Sequence, residues 1–63
     1  MYIVLMQFIP GVDSVWVARL NPEDPIYKYD TLEACEAKAQ ELQDADTTGR
    51  LYKASEEQAG VTY

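Results

Sequence analysis

Histidine is absent from this chain of 63 residues, and cysteine occurs once, at Cys35. Without histidine, Ser-His and Cys-His nucleophile pairs are excluded, and a zinc site loses one of its usual ligands. A lone cysteine allows no intrachain disulfide, and one free thiol fits a reducing compartment. Glycine is sparse too. Gly11, Gly49 and Gly60 stand far apart, so no glycine-rich loop exists to cradle a phosphate. Positive charge is the next scarcity: five Lys and Arg face eleven Asp and Glu, for a net charge of −6. That balance opposes direct binding to nucleic-acid backbones and to anionic membranes. It favours encounter with a basic partner, such as a nucleic-acid-processing enzyme, and equally serves plain solubility. The one long apolar run is too short to span a membrane. No Lys or Arg precedes it and no small-residue cleavage site follows, so it does not read as a secretory signal. A cytoplasmic protein is expected.

That run, Met1 to Ile9, organises the rest. Gln7 is its only polar residue. A strand turns alternate residues to opposite faces, giving Tyr2, Val4, Met6 and Phe8 on one side and Ile3, Leu5, Gln7 and Ile9 on the other. Both sets are apolar, which predicts a strand covered on both faces at the middle of a small sheet. Pro10-Gly11 marks a turn, and Ser14–Leu20 is rich in β-formers and reads as a returning second strand. Asn21-Pro22-Glu23-Asp24-Pro25 is a loop. Ile26–Tyr29 is extended and reads as a short edge segment continuing strand two. Asp30 with Glu33 makes a capping-box pattern at a helix start. Leu32, Cys35, Ala39 and Leu42 recur on one helical face, with Glu33, Gln40 and Asp44 opposite and Glu36 and Glu41 at the margins. Asp46-Thr47-Thr48-Gly49 ends the helix, with Gly49 as the natural breaker, and Arg50–Ser55 reads as the last strand. Residues 56–63 form a polar tail expected to fray, with Val61 and Tyr63 available to dock.

The assembly is a single α+β domain over residues 1–63, ordered β-β-α-β. Its three-stranded antiparallel sheet has order 2-1-3, with one helix packed on one face. Sixty-three residues lie near the lower size limit for folding alone, so partner binding or self-association is expected to add stability.

The stretch Tyr29-Asp30-Thr31-Leu32-Glu33-Ala34-Cys35-Glu36-Ala37-Lys38-Ala39 follows a strand bearing Trp16 and precedes Arg50-Leu51-Tyr52-Lys53. Over nearly the whole chain this layout resembles small orphan proteins encoded by bacteriophages. The resemblance implies a host-takeover or anti-defence inhibitor acting inside a bacterial host cell. Such a protein blocks a CRISPR effector, a polymerase or a nuclease by protein-protein contact. The class shares no functional motif, so no binding residue is carried over from it.

Catalysis is not expected. Cys35 lies on the inward helix face, as an inert core thiol would. The carboxylate pairs Glu33/Glu36 and Glu56/Glu57 need a cleft that so short a chain hardly encloses. No metal or cofactor is expected either. Two surfaces are candidates for binding. One is the sheet face away from the helix, where Tyr2, Phe8, Trp16, Tyr27, Tyr29 and Tyr52 are the candidate aromatic anchors, alternatively needed to fill a minimal core. The other is the acidic helix face, Glu33, Glu36, Glu41 and Asp44. This row is roughly 16 Å long at the helical rise and is either a phosphate-backbone mimic or a solvated face. The leading expectation is an inhibitor that binds a protein with a basic surface, with a homodimer as a further possibility. A homo-oligomeric sponge for a nucleotide signal, using Arg19, Lys28, Arg50 and Lys53 as anion contacts, is one alternative. A structural or assembly accessory is another.

Overall fold

A computed structural model describes residues 1–57; of the tail expected to fray over 56–63, Glu56 instead belongs to the last strand opposite Tyr2 and the Glu57 amide donates to the Met1 carbonyl (2.9 Å), while 58–63, with Val61 and Tyr63, lie outside the described residues. The elements in chain order are β1 (Tyr2–Gln7), β2 (Trp16–Val17), β3 (Lys28–Tyr29), α1 (Leu32–Ala45) and β4 (Tyr52–Glu56). The fold is α+β, with one helix and one antiparallel sheet. β1 is its central strand, as its two apolar faces predict. On one side β4 pairs with β1 along its length, from Tyr2↔Glu56 to Met6↔Tyr52. On the other side β2 holds the Met6–Gln7 end and β3 the Tyr2–Ile3 end. β2 and β3 are thus two fragments of one edge strand, and the sheet has four strands by count in three lanes.

The break has a physical cause. Of the expected strand Ser14–Leu20 only Trp16–Val17 forms regular strand pairing with β1, joined by one bond from the Phe8 amide to the Val15 carbonyl. Arg19 then folds the chain outward by donating from Nη1 to the carbonyls of Pro22 (2.9 Å) and Asp24 (3.3 Å). Pro22 and Pro25 deny this loop the amides of a ladder. The chain rejoins β1 where the Val4 amide donates to the Tyr27 carbonyl at 3.0 Å. Ahead of β2, the Val12 amide donates to the Ile9 carbonyl (3.0 Å) across Pro10-Gly11. Gly11 has φ of 83°, the left-handed geometry that the third turn position requires.

The helix begins one residue later than the capping-box pattern predicts. Thr31, not Asp30, is the N-cap: its Oγ1 accepts from the Ala34 amide at 3.2 Å. At the other end Asp46 caps the helix and binds the departing chain. Its carboxylate accepts from the Thr48 amide and hydroxyl and from the Arg50 amide (2.9 Å). Partial desolvation pushes the Asp46 carboxyl up, but the hydrogen bonds from Thr48, Arg50 and Tyr52 outweigh it and hold it below the ordinary value.

The core is small. Val4, Cys35 and Ala39 form its centre, with Tyr2, Tyr27, Tyr29, Leu42, Tyr52 and Ala54 packed around them. This fixes which alternate set of β1 faces the helix: Tyr2, Val4 and Met6. Small Cys35 and Ala39 let α1 approach the sheet, and the tyrosine rings fill the space beside them. Leu32, expected on the inward face, is 43% exposed because it occupies the first helical position, beyond the sheet's reach.

Candidate partner-binding surface

The six candidate aromatic anchors do not share a surface. Tyr2, Tyr27, Tyr29 and Tyr52 pack on the helix-covered face against Val4, Cys35 and Ala39, which corrects their expected place on the open face. The cause is the helix's small inward residues, which leave volume that only large rings fill. Burial pushes the Tyr52 hydroxyl pKa up, and the neighbouring Asp46 charge pushes it further. Trp16 lies on the opposite face, half-buried. Its Nε1 donates to the Asp13 carbonyl (3.1 Å), and Lys53 Nζ sits 4.2 Å from the ring centroid. Phe8 stands beyond the end of β1.

The open face is therefore closed locally. Ile3 is fully buried and Leu5 half-buried. Two contacts cross β1 on this side, Lys53 over Trp16 and Lys28 Nζ to Glu57 Oε2 at 2.9 Å. Gln7, only 1% exposed, is held on all its polar atoms. Its Nε2 donates to Asp13 Oδ1 (2.7 Å), and its Oε1 accepts from the Gly11 amide (3.0 Å) and the Leu51 amide (3.1 Å). One side chain ties the Pro10-Gly11 turn to the start of β4.

Most of the exposed large apolar residues stand instead near this end of the sheet, and of these only Phe8 was a candidate from the sequence. Phe8, Ile9, Val12, Val15 and Leu51 are all exposed. The backbone brings them together: the Phe8 amide donates to Val15 (3.1 Å), Ile9 and Val12 close the turn, and the Gln7 amide donates to Leu51 (3.1 Å). The available signal was Ile9 and Val12 flanking Pro10-Gly11, since surface turns are normally polar. Exposed apolar residues grouped in this way are a candidate contact surface.

The acidic row holds its expected place. Glu33, Glu36, Glu41 and Asp44 are all exposed on α1. Glu41 accepts from Lys38 Nζ (3.2 Å), a hydrogen bond that raises the lysine pKa, and Asp44 accepts from Gln40 Nε2 (2.8 Å). Glu33 and Glu36 have no partner among the described residues, nor do Glu23, Asp30 and Glu56.

Every basic side chain, by contrast, has an intrachain partner. Arg19 holds two loop carbonyls, Lys28 pairs with Glu57, and Lys38 pairs with Glu41 and lies 4.9 Å from the Tyr27 ring centroid. Arg50 Nε donates to the Gln7 carbonyl (2.7 Å), and Lys53 sits over Trp16. Arg19, Lys28, Arg50 and Lys53, the anion contacts of the sponge alternative, thus each have a partner within the chain.

Cys35 is fully buried, and burial pushes its thiol pKa up, the opposite of an activated nucleophile. Among the described residues no helix is long and apolar enough to cross a membrane. Comparison with protein-family models, with curated proteins and with solved structures gives no match for this chain.

Proposed function

We propose that this chain is a non-enzymatic binding protein of the phage-inhibitor type that docks on a basic surface of a host or bacterial defence protein and blocks it. A nucleic-acid-processing enzyme in the bacterial cytoplasm is the favoured kind of target. The observation that carries this reading is the asymmetry of charge. All five cationic side chains are engaged within the chain, while Glu33, Glu36 and other carboxylates face outward without partners among the described residues. Outward acid steers association towards positive surfaces and sets orientation, while buried apolar contact supplies affinity. The exposed apolar end, with Phe8 as its aromatic residue, is the natural source of that contact.

The test is a Lys reversal of Glu33, Glu36, Glu41 and Asp44, made together. The wild-type chain is expected to capture one protein from bacterial lysate at physiological salt and to inhibit its isolated activity, with the reversed chain doing neither. Equal capture and inhibition by the reversed chain would overturn the acidic steering, and capture without inhibition would overturn the blocking role.

A further inference from the structure

The β1–β4 ladder fixes where each backbone group of β4 points. The Gln7 amide donates to the Leu51 carbonyl and the Glu57 amide to the Met1 carbonyl, so the odd-numbered residues of this segment face β1. In an antiparallel pair the alternate residues then turn both N–H and C=O outward. These are Tyr52, Ala54 and Glu56. The Tyr52 amide is already taken by Gln43 Oε1, reaching across from α1 at 3.0 Å, where a neighbouring strand would supply a carbonyl. Ala54 and Glu56 have no outward backbone partner among the described residues. Beside them runs a groove of about 310 Å³ between α1 and β4, lined by Glu36, Gln40 and Gln43 from the helix and Tyr52, Lys53 and Ala54 from the strand.

We infer that this edge and groove bind an extended basic segment of the partner as an added strand, with its alternate lysine or arginine side chains turned towards Glu36 and Glu56. An open edge offers main-chain hydrogen bonds to any extended chain, and the flanking side chains choose among them. Here the choice is by charge. Glu36 stands on the helix wall, and Glu56, which shares the helix-side face with Tyr2, stands at the end of the strand. Neither has a partner among the described residues, whereas Lys53 is drawn to the other face over Trp16. A second copy of this chain is disfavoured as occupant, because it would set Glu36 and Glu56 of two chains with net charge −6 against one another. The inference rests on the proposed basic partner and names the element that receives it.

The experiment uses the 15N-labelled full chain and three short capped peptides. One alternates lysine and valine, one alternates glutamate and valine, and one is the lysine peptide with a central proline. The lysine peptide is expected to slow amide exchange at Ala54 and Glu56 at least tenfold and to leave β2 and β3 unchanged. The glutamate and proline peptides are expected to leave exchange unchanged at Ala54 and Glu56 and in β2 and β3 alike. The exposed substitution Glu36→Lys should weaken the lysine peptide several-fold with the amide spectrum of the fold retained. Unchanged exchange at Ala54 and Glu56, equal protection by the glutamate or proline peptide, or a β4-paired homodimer seen by light scattering without peptide would each overturn the inference. If peptides leave the edge untouched while the four-residue reversal still abolishes partner capture, the edge is wrong and the basic partner stands. If the edge binds the lysine peptide while the reversed chain captures the partner normally, the proposed steering fails, and with it the assignment of this edge to that partner.

Discussion

Replacing Gln7 by leucine should unfold much of the margin that holds this domain together. The side chain is buried and makes one bond to a carboxylate and two to backbone amides, all between 2.7 and 3.1 Å. Leucine keeps the approximate volume and removes all three. A net hydrogen bond contributes about 1 kcal/mol, and one to a charged group about 1.5–3 kcal/mol. Asp13 is exposed and water replaces much of its share, but the part-buried Leu51 amide loses its acceptor outright. The sum is about 2–4 kcal/mol. At roughly 0.05–0.15 kcal/mol per residue, a domain of this size has about 3–9 kcal/mol in all. With a urea slope near 1 kcal/mol/M for so small a chain, the midpoint should fall by about 2–4 M. Equilibrium urea unfolding followed by tryptophan fluorescence reads this directly, because Trp16 donates to the Asp13 carbonyl in the same hub. A Gln7→Glu variant refines the test. It keeps an acceptor for both amides but sets a second carboxylate against Asp13. That repulsion raises the folded-state pKa of the pair, so its stability deficit should be largest at neutral pH and shrink on acidification. A midpoint shift below about 0.5 M for Gln7→Leu would refute the view that this side chain joins the turn to β4.

Three further outcomes follow from the same geometry. Thr31→Ala should lower stability by about 0.5–2 kcal/mol in urea unfolding, whereas Asp30→Ala should change it by less than about 0.5 kcal/mol, and the reverse ranking would place the cap at Asp30. The Asp46 carboxyl lies below its ordinary value of 3.8 in the folded chain, so its stabilisation is complete above that value and is lost as pH falls through the folded one. Wild type should therefore exceed Asp46→Asn in stability at pH 6, with the gap closing below pH 3.8; a gap independent of pH would remove the charge from the account. Cys35 should react with a disulfide reagent only when the core opens, at a rate that rises steeply with urea, and rapid labelling of the native chain would show the thiol to be accessible.

The layout of the sheet was legible because two separate signals agreed. The near-continuous apolar run of β1 demanded cover on both faces, and chain direction put it between its neighbours. The Pro10-Gly11 turn and the Cys35–Ala39–Leu42 stripe were legible for the same local reasons. Strand two was not, because Ser14–Leu20 has strand propensity throughout and nothing in its pattern reveals that Arg19 turns back to the carbonyls of Pro22 and Asp24. The aromatic anchors failed through parity. With both sets of β1 apolar, alternation alone does not say which faces the helix. Small Cys35 and Ala39 decide it in favour of the set beside the tyrosines. Gln7 stood out as the one polar residue of an apolar run, but its three partners come from two other segments. The acidic row was legible because helical spacing is enough to place it. The engagement of every basic side chain was not, since ion pairs such as Lys28–Glu57 join residues remote in sequence.

The proposed function has outward acid on α1 directing this chain onto a basic partner. The direct measurement is a calorimetric titration of the captured partner with the wild-type chain and with the chain carrying Lys at 33, 36, 41 and 44, at physiological salt and again at high salt. Wild-type affinity should fall as salt rises, and the reversed chain should bind at least a hundredfold more weakly at physiological salt. Equal affinity of the two chains, indifferent to salt, would contradict the proposal.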